Sequence, residues 1–240
     1  MLYGHMLATK EKKSYPESEQ SGQFWRSCII EIDTRLRVAR GIGKSETEAT
    51  VEVFQTLKRR GHPDLPPPTV SDGYNGIREA MLEVWGKVPE YSGWGRPPTR
   101  KQPQPGWKYL QIVKQRKNGS VVGTFPRVIY GDETEVLQLL GSNTAYVERT
   151  HLTSRLFNSR LIRETLGYSK AIQMHRAAAA WEDIVYNLVR PVKTLRCEVF
   201  NDPVRRWLQR TPAIAAGLTD HIWTVKELLK TLPIPSIRNT

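Results

Sequence analysis

A helical run over residues 145–190 constrains the chain more than any other feature. Pro191 stops it, because the proline ring removes a backbone donor and clashes with the preceding turn. Gly167 is where the run would break. It opens with Tyr146-Val147-Glu148-Arg149-Thr150-His151-Leu152-Thr153-Ser154-Arg155. Residues three, four and seven apart share a helix face, which predicts one stripe of Glu148, His151, Leu152 and Arg155. A carboxylate beside Arg149, with Arg155 two turns along, suits a metal ion and a phosphate held together. The same spacing also fits a solvated face with one ion pair.

Charge narrows the class of partner. Net charge is +12, but residues 131–148 carry four acidic and no basic side chains. They are flanked by residues 78–130, with ten basic against three acidic, and residues 149–240, with fifteen against seven. A polyanion such as nucleic acid fits the basic blocks, and a divalent cation fits the acidic segment. Hydrophobic content of 39% and seven Trp argue for a packed core. No apolar run approaches the roughly 18 residues of a membrane span, and the N-terminus lacks a signal-peptide pattern. Cys28 and Cys197 are too few for a zinc or disulfide framework, and two buried thiols in a cytoplasmic, nucleoid-associated protein are expected.

Along the chain, residues 10–19 read as an exposed loop. Residues 24–32 and 35–42 read as an antiparallel hairpin turning at Asp33-Thr34. Ser45 and Glu48 form a capping-box pattern before Ala49, Val53, Phe54 and Leu57, and Gly61 closes that helix. Residues 69–74 are a brief strand, and residues 77–85 a short helix. Residues 86–106, rich in Gly, Pro, Lys and Arg, read as a mobile basic loop carrying Arg100 and Lys101. Asn118-Gly119 marks a two-residue hairpin between residues 108–114 and 121–130. A last helix spans 221–230, capped near Asp220. Gly41-Ile42-Gly43-Lys44 lacks phosphate-loop spacing.

The opening stretch of the long run resembles the E-R-x-N-x-x-x-R signature of IS-one-like bacterial insertion-sequence transposases. The similarity continues through residues 163–170, 174–176 and 186–191, and most specifically through residues 210–221. The resemblance implies an α/β fold: a ribonuclease-H-like mixed sheet flanked by helices, with a basic helical C-terminal extension. It divides the chain into a catalytic domain over 1–190 and the extension over 191–240. It implies Mg²⁺- or Mn²⁺-dependent DNA strand cleavage and transfer, acting on element ends and target DNA, with a homo-oligomer as the expected assembly.

In this family Glu148 corresponds to the third metal-binding acid, and Asp72, before Gly73, matches the second. Arg149, Arg155, Arg100 and Lys101 are the expected DNA contacts. Family geometry puts the Asp72 and Glu148 carboxylates about 4–7 Å apart, around two metal ions. Asp33 lies in a hairpin turn and is not favoured as the first acid. That acid belongs just ahead of a Leu-Tyr pair, and here Leu2-Tyr3 leave it before the chain, so the first strand is expected to be missing. His151 replaces the usual Asn, Glu164 a usual Lys and Val192 a usual His. Incomplete acids imply little strand transfer. The rival reading is a non-catalytic DNA-binding remnant that competes with a complete enzyme or has no function.

Overall fold

Starting at Phe24, the β-branched and aromatic run forms a strand, as its composition predicts. The computed structural model describes residues 2–7, 22–141, 144–161, 167, 169, 171–199 and 206–231. In it β2 (Gly22–Ile30) lies between β1 (Leu2–Leu7) and β3 (Arg37–Gly43) in a three-stranded sheet. A strand thus does precede Phe24, contrary to expectation. Leu7 stands opposite Gly22 and His5 opposite Phe24, antiparallel, with a register shift between Leu2 and His5. The edge of β2 carries backbone donors and acceptors that need partners, and residues 2–7 supply them. The loop expected over residues 10–19 lies outside the described residues.

α1 (Glu46–Arg60) starts as its sequence dictates. Ser45 Oγ accepts from Glu48 N at 3.1 Å, and the Glu48 carboxylate accepts from Lys44 N at 2.8 Å. Such a cap contributes about 1 kcal/mol. Fully burying one Val, Leu or Phe contributes about 1.5–3 kcal/mol, so the buried face of Val53, Phe54 and Leu57 dominates. Gly41 is explained here too: a side-chain carbon on it would strike the Ala49 carbonyl. The glycine lets β3 and α1 approach closely.

The second sheet is mixed. β4 (Thr69–Asp72) pairs in parallel with β5 (Tyr109–Lys117), and β5 pairs antiparallel with β6 (Ser120–Tyr130). Asn118 (φ 51°) and Gly119 (φ 81°) make the predicted two-residue turn. A ribonuclease-H-like layout would run all strands through one sheet; the described ladders divide into β1–β2–β3 and β4–β5–β6. α2 (Asn75–Trp85) lies against α1. Ile77, Ala80, Met81 and Trp85 join Phe54, Leu57, Trp107 and Tyr109 in one apolar cluster. Asp132 caps α3 (Glu133–Leu140) through Glu135 N at 3.0 Å.

The long helical run breaks ten residues earlier than Gly167. α4 (Ala145–Phe157) stops at Asn158, whose Oδ1 accepts from Arg160 N at 3.1 Å and starts a separate turn. Asn competes for nearby backbone donors, and here that competition outweighs continuation of the helix. α5 (Ile172–Ile184) resumes and passes into a π-turn over Val185–Val189 before Pro191.

Two compact units result: Met1–Ile30 with Val38–His175, and Glu31–Arg37 with Arg176–Thr240. Residues 190 and 191 both fall inside the second unit. Its centre is Arg37, buried, with Nη1 donating to Glu182 at 2.7 Å and to Asp183 at 3.0 Å. The guanidinium lies 4.0 Å from the centre of the Tyr186 ring, and Asn187 pairs with both backbone groups of Arg37. The twelve residues most specific to the resemblance form Thr211-capped α6 (Pro212–Ala215) and its exit. β7 (Cys197–Glu198) and β8 (Trp207–Leu208) make a short ribbon. Cys197 is exposed and Cys28 half-buried, so neither thiol is fully buried. α7 (Val225–Thr231) starts later than expected, because Thr224 and Glu227 form the actual capping box while Asp220 binds His221.

Arg37→Ala leaves two carboxylates without their central cation, and breaking such a buried pair costs about 3–5 kcal/mol. Urea unfolding followed by Trp fluorescence should show that loss in the unit containing residues 176–240. A change below about 1 kcal/mol, the range of a surface pair, would mean that Arg37 is not its anchor.

Candidate functional site

Asp72 ends β4 half-buried, with Oδ1 accepting from Tyr74 N at 3.3 Å in the turn that leads into α2. The parallel ladder sets Asp72 beside Ile112. Side chains alternate along a strand, so Asp72, Ile112 and Lys114 share one face of the sheet. Glu148 sits exposed in the first turn of α4, and Lys114 Nζ donates to its Oε1 at 2.9 Å. Diagonal neighbours on adjacent strands are about 7–8 Å apart, so the ammonium that holds Glu148 springs from a position diagonal to Asp72. Lys114 thus rises from the sheet face that bears Asp72 and pairs with Glu148.

The expected helix stripe divides. Glu148, Leu152 and Arg155 are exposed, while Thr150, His151 and Ser154 face inward. A three-residue step on a helix turns about 60° short of a full circle, which is enough to carry His151 off the Glu148 stripe. Its Nε2 lies 3.7 Å from the Cys28 sulfur. Arg149 and Arg155 stand exposed on α4, open to solvent as phosphate contacts must be. Asp33 occupies the exposed hairpin turn, where its N–H donates to Glu31 at 3.0 Å. Burial alone would raise Glu31, but hydrogen bonds from Thr34 and Asp33 and the charge of Arg35 outweigh it and hold the carboxyl below its ordinary value.

Sequence reasoning missed Glu46. It opens α1, and its carboxyl is pushed above the ordinary range, first by burial and then by the charge of Asp72. Nothing in the local pattern signals that proximity, since an acid in a first helical turn is ordinary capping chemistry. Lys114 was equally unmarked, one basic residue in a basic strand.

The loop of residues 86–106 is tethered at its base, not mobile there. Lys87 and Gln102 exchange two backbone hydrogen bonds, at 3.1 and 2.9 Å. Lys101 Nζ is held by the Glu83 carboxylate at 3.0 Å and the Glu83 carbonyl at 2.6 Å. Arg100 is exposed. Of the two predicted phosphate contacts on the loop, Lys101 already has a carboxylate beside it. Glu164 lies outside the described residues.

The implied Mg²⁺ or Mn²⁺ can be tested against this donor set. Carboxylate oxygens are the right kind of ligand for such hard cations. Their number is not: among the described residues no group of three or more His, Cys, Asp or Glu is placed to hold a metal ion. One of the two predicted ligands is also neutralised by an ammonium. The described residues do not fit a two-metal centre, and no chemical step follows through one. No helix among them is long and apolar enough to cross a membrane. No protein-family model, no curated protein and no solved structure matches this chain.

The raised Glu46 carboxyl has a pH signature. A folded-state value above the unfolded value of 4.5 means that the folded chain holds this proton more tightly, so stability falls as pH rises through that window. Glu46→Gln should therefore match the wild type in urea midpoint near pH 4 and exceed it at pH 7. A midpoint lower at pH 7 than the wild type would show that the charge of Glu46 is stabilising instead.

Proposed function

We propose that this chain acts on DNA as a transposase-type domain of ribonuclease-H-like descent. Asp72 and Glu148 occupy its acid positions, and its basic surfaces bind the DNA backbone. The observation that supports the reading is the Lys114–Glu148 bridge, made by a lysine on the sheet face that bears Asp72. A strand-end aspartate and a helix glutamate are acids of the kind that hold the ions in phosphoryl transfer. The basic block over residues 78–130 supports a polyanionic partner. The bridge also favours the second reading, DNA binding without efficient cleavage. Two acids, one of them countered by lysine, carry too little charge for two divalent ions, and each power of ten in rate corresponds to about 1.4 kcal/mol of barrier.

Binding should be chiefly electrostatic. Each phosphate neutralised adds about −0.9 to the slope of log affinity against log salt. Arg100→Ala should flatten that slope by about one unit and weaken all sequences alike, and Lys101→Ala, released from Glu83, should change it less. Filter binding across a salt series measures this; a salt-independent affinity defeats the proposal.

Lys114 and a divalent ion compete for one carboxylate. Lys114→Ala should tighten Mn²⁺ binding several-fold by calorimetry, and Glu148→Gln should remove that gain. Wild-type chain should nick supercoiled DNA in Mg²⁺ or Mn²⁺ no faster than Glu148→Gln. Faster cleavage by the wild type, abolished in both Asp72→Asn and Glu148→Gln, would mean that the chain already holds a working ligand set.

A further inference from the structure

We infer that Trp94 is a stacking platform for an unpaired nucleobase, held out by the basic loop of residues 86–106. The inference rests on the DNA-binding reading and names the form of DNA that this loop takes. Trp94 is 92% exposed, the most exposed of the large hydrophobic side chains among the described residues. An indole in water gains free energy when a flat apolar partner covers its face.

The loop presents that ring deliberately. Its base is clamped by the Lys87–Gln102 hydrogen-bond pair and by Gly86 N donating to Leu82 O at 2.9 Å. Nearer the tip, the Tyr91 hydroxyl donates to the Gly95 carbonyl at 3.0 Å. Gly93 and Gly95, on either side of Trp94, have φ of +84° and +77°. Those backbone angles are strained for residues with a side chain. A side-chain carbon built on either glycine meets nothing within 4 Å, so open space flanks the tip on both sides. Pro97-Pro98 follow and restrict the backbone. An ordered loop that projects its aromatic ring forfeits little conformational freedom when it binds.

Charge selects the partner. The loop carries Lys87, Arg96, Arg100 and Lys101 against Glu90. A bare aromatic ring on a loop with an excess of cations is the combination that binds single-stranded nucleic acid: cations follow the phosphates, and bases stack on the ring without regard to sequence. Bases within a duplex are already stacked on each other and offer no free face. An unpaired stretch, as at an opened DNA end, offers one.

The test compares fluorescence anisotropy of a labelled oligonucleotide, single-stranded and as a duplex of the same sequence, across a salt series. Trp94→Ala should weaken single-strand binding by roughly 5- to 150-fold. Duplex affinity should stay within about twofold and the salt slope should not move, because no charge is removed. Trp94→Phe should restore most of the single-strand affinity. An unchanged melting temperature checks that the exposed substitution leaves the fold intact. If the wild type binds neither form, the DNA-binding reading falls and this inference with it. If the wild type binds duplex with the expected salt slope and Trp94→Ala leaves single-strand affinity unchanged, or lowers both forms equally, the stacking inference alone is overturned. Reduced self-association of Trp94→Ala in sedimentation, with single-strand binding intact, overturns it in favour of a second copy as the partner.

Discussion

The parallel ladder between β4 and β5 is the constraint on which the rest of this chain's site depends. Adjacent parallel strands cannot be joined by a tight turn; the chain must cross from one end of the sheet to the other. The crossover here is residues 73–108, and it contains both α2 and the basic loop. The same pairing fixes the register that sets Asp72 beside Ile112, and so Lys114 on the face of Asp72. The Asp72–Lys114 face and the basic loop are thus two products of one strand pairing. Weakening the ladder would disturb both, although residues 93–95 at the loop tip lie far along the sequence from either strand.

Local chemistry was legible in the sequence. Ser45, Glu48 and Gly61 bound a helix that the structure reproduces, and Asn118-Gly119 fixed a hairpin turn, since few residues adopt the backbone angles that it needs. Boundaries decided by competition were not legible. Helical periodicity continues past Phe157, but the Asn158 side chain takes the Arg160 backbone donor where α4 ends. Periodicity likewise put Glu148 and His151 on one stripe, but burial separates them. The tether at the base of residues 86–106 depends on Glu83 and Gln102, whose pairings no composition rule reveals. β1 pairs through its backbone, and a backbone edge leaves almost no trace in side-chain pattern.

Electrostatics explains why the acids look weaker in structure than in sequence. Read linearly, residues 131–148 are a purely acidic segment ready for a cation. Folded, Glu135 meets Lys108 and Glu148 meets Lys114, so β5 and the residue just before it lend basic side chains to the segment that follows β6. These pairs are exposed and individually worth about 1 kcal/mol or less. Their importance lies in charge: the Lys114 ammonium offsets the negative charge that Glu148 would otherwise present. Glu46 contributes the opposite sign, adding charge beside Asp72 at the expense of its own ionisation.

Among the described residues β6 forms the outer edge of its sheet, and Val121, Val122 and Phe125 lie exposed along it. An edge with apolar side chains invites a further strand. Pro126, paired opposite Ile112, interrupts that invitation. A proline is tolerated in a paired strand where its missing N–H would face away from the partner, so the outer rim lacks a donor at that point. The rim is thereby interrupted between residues 120–125 and residues 127–130. Strand addition by a second copy would meet a missing donor at Pro126, so the proline limits how long a continuous ladder can form on this rim.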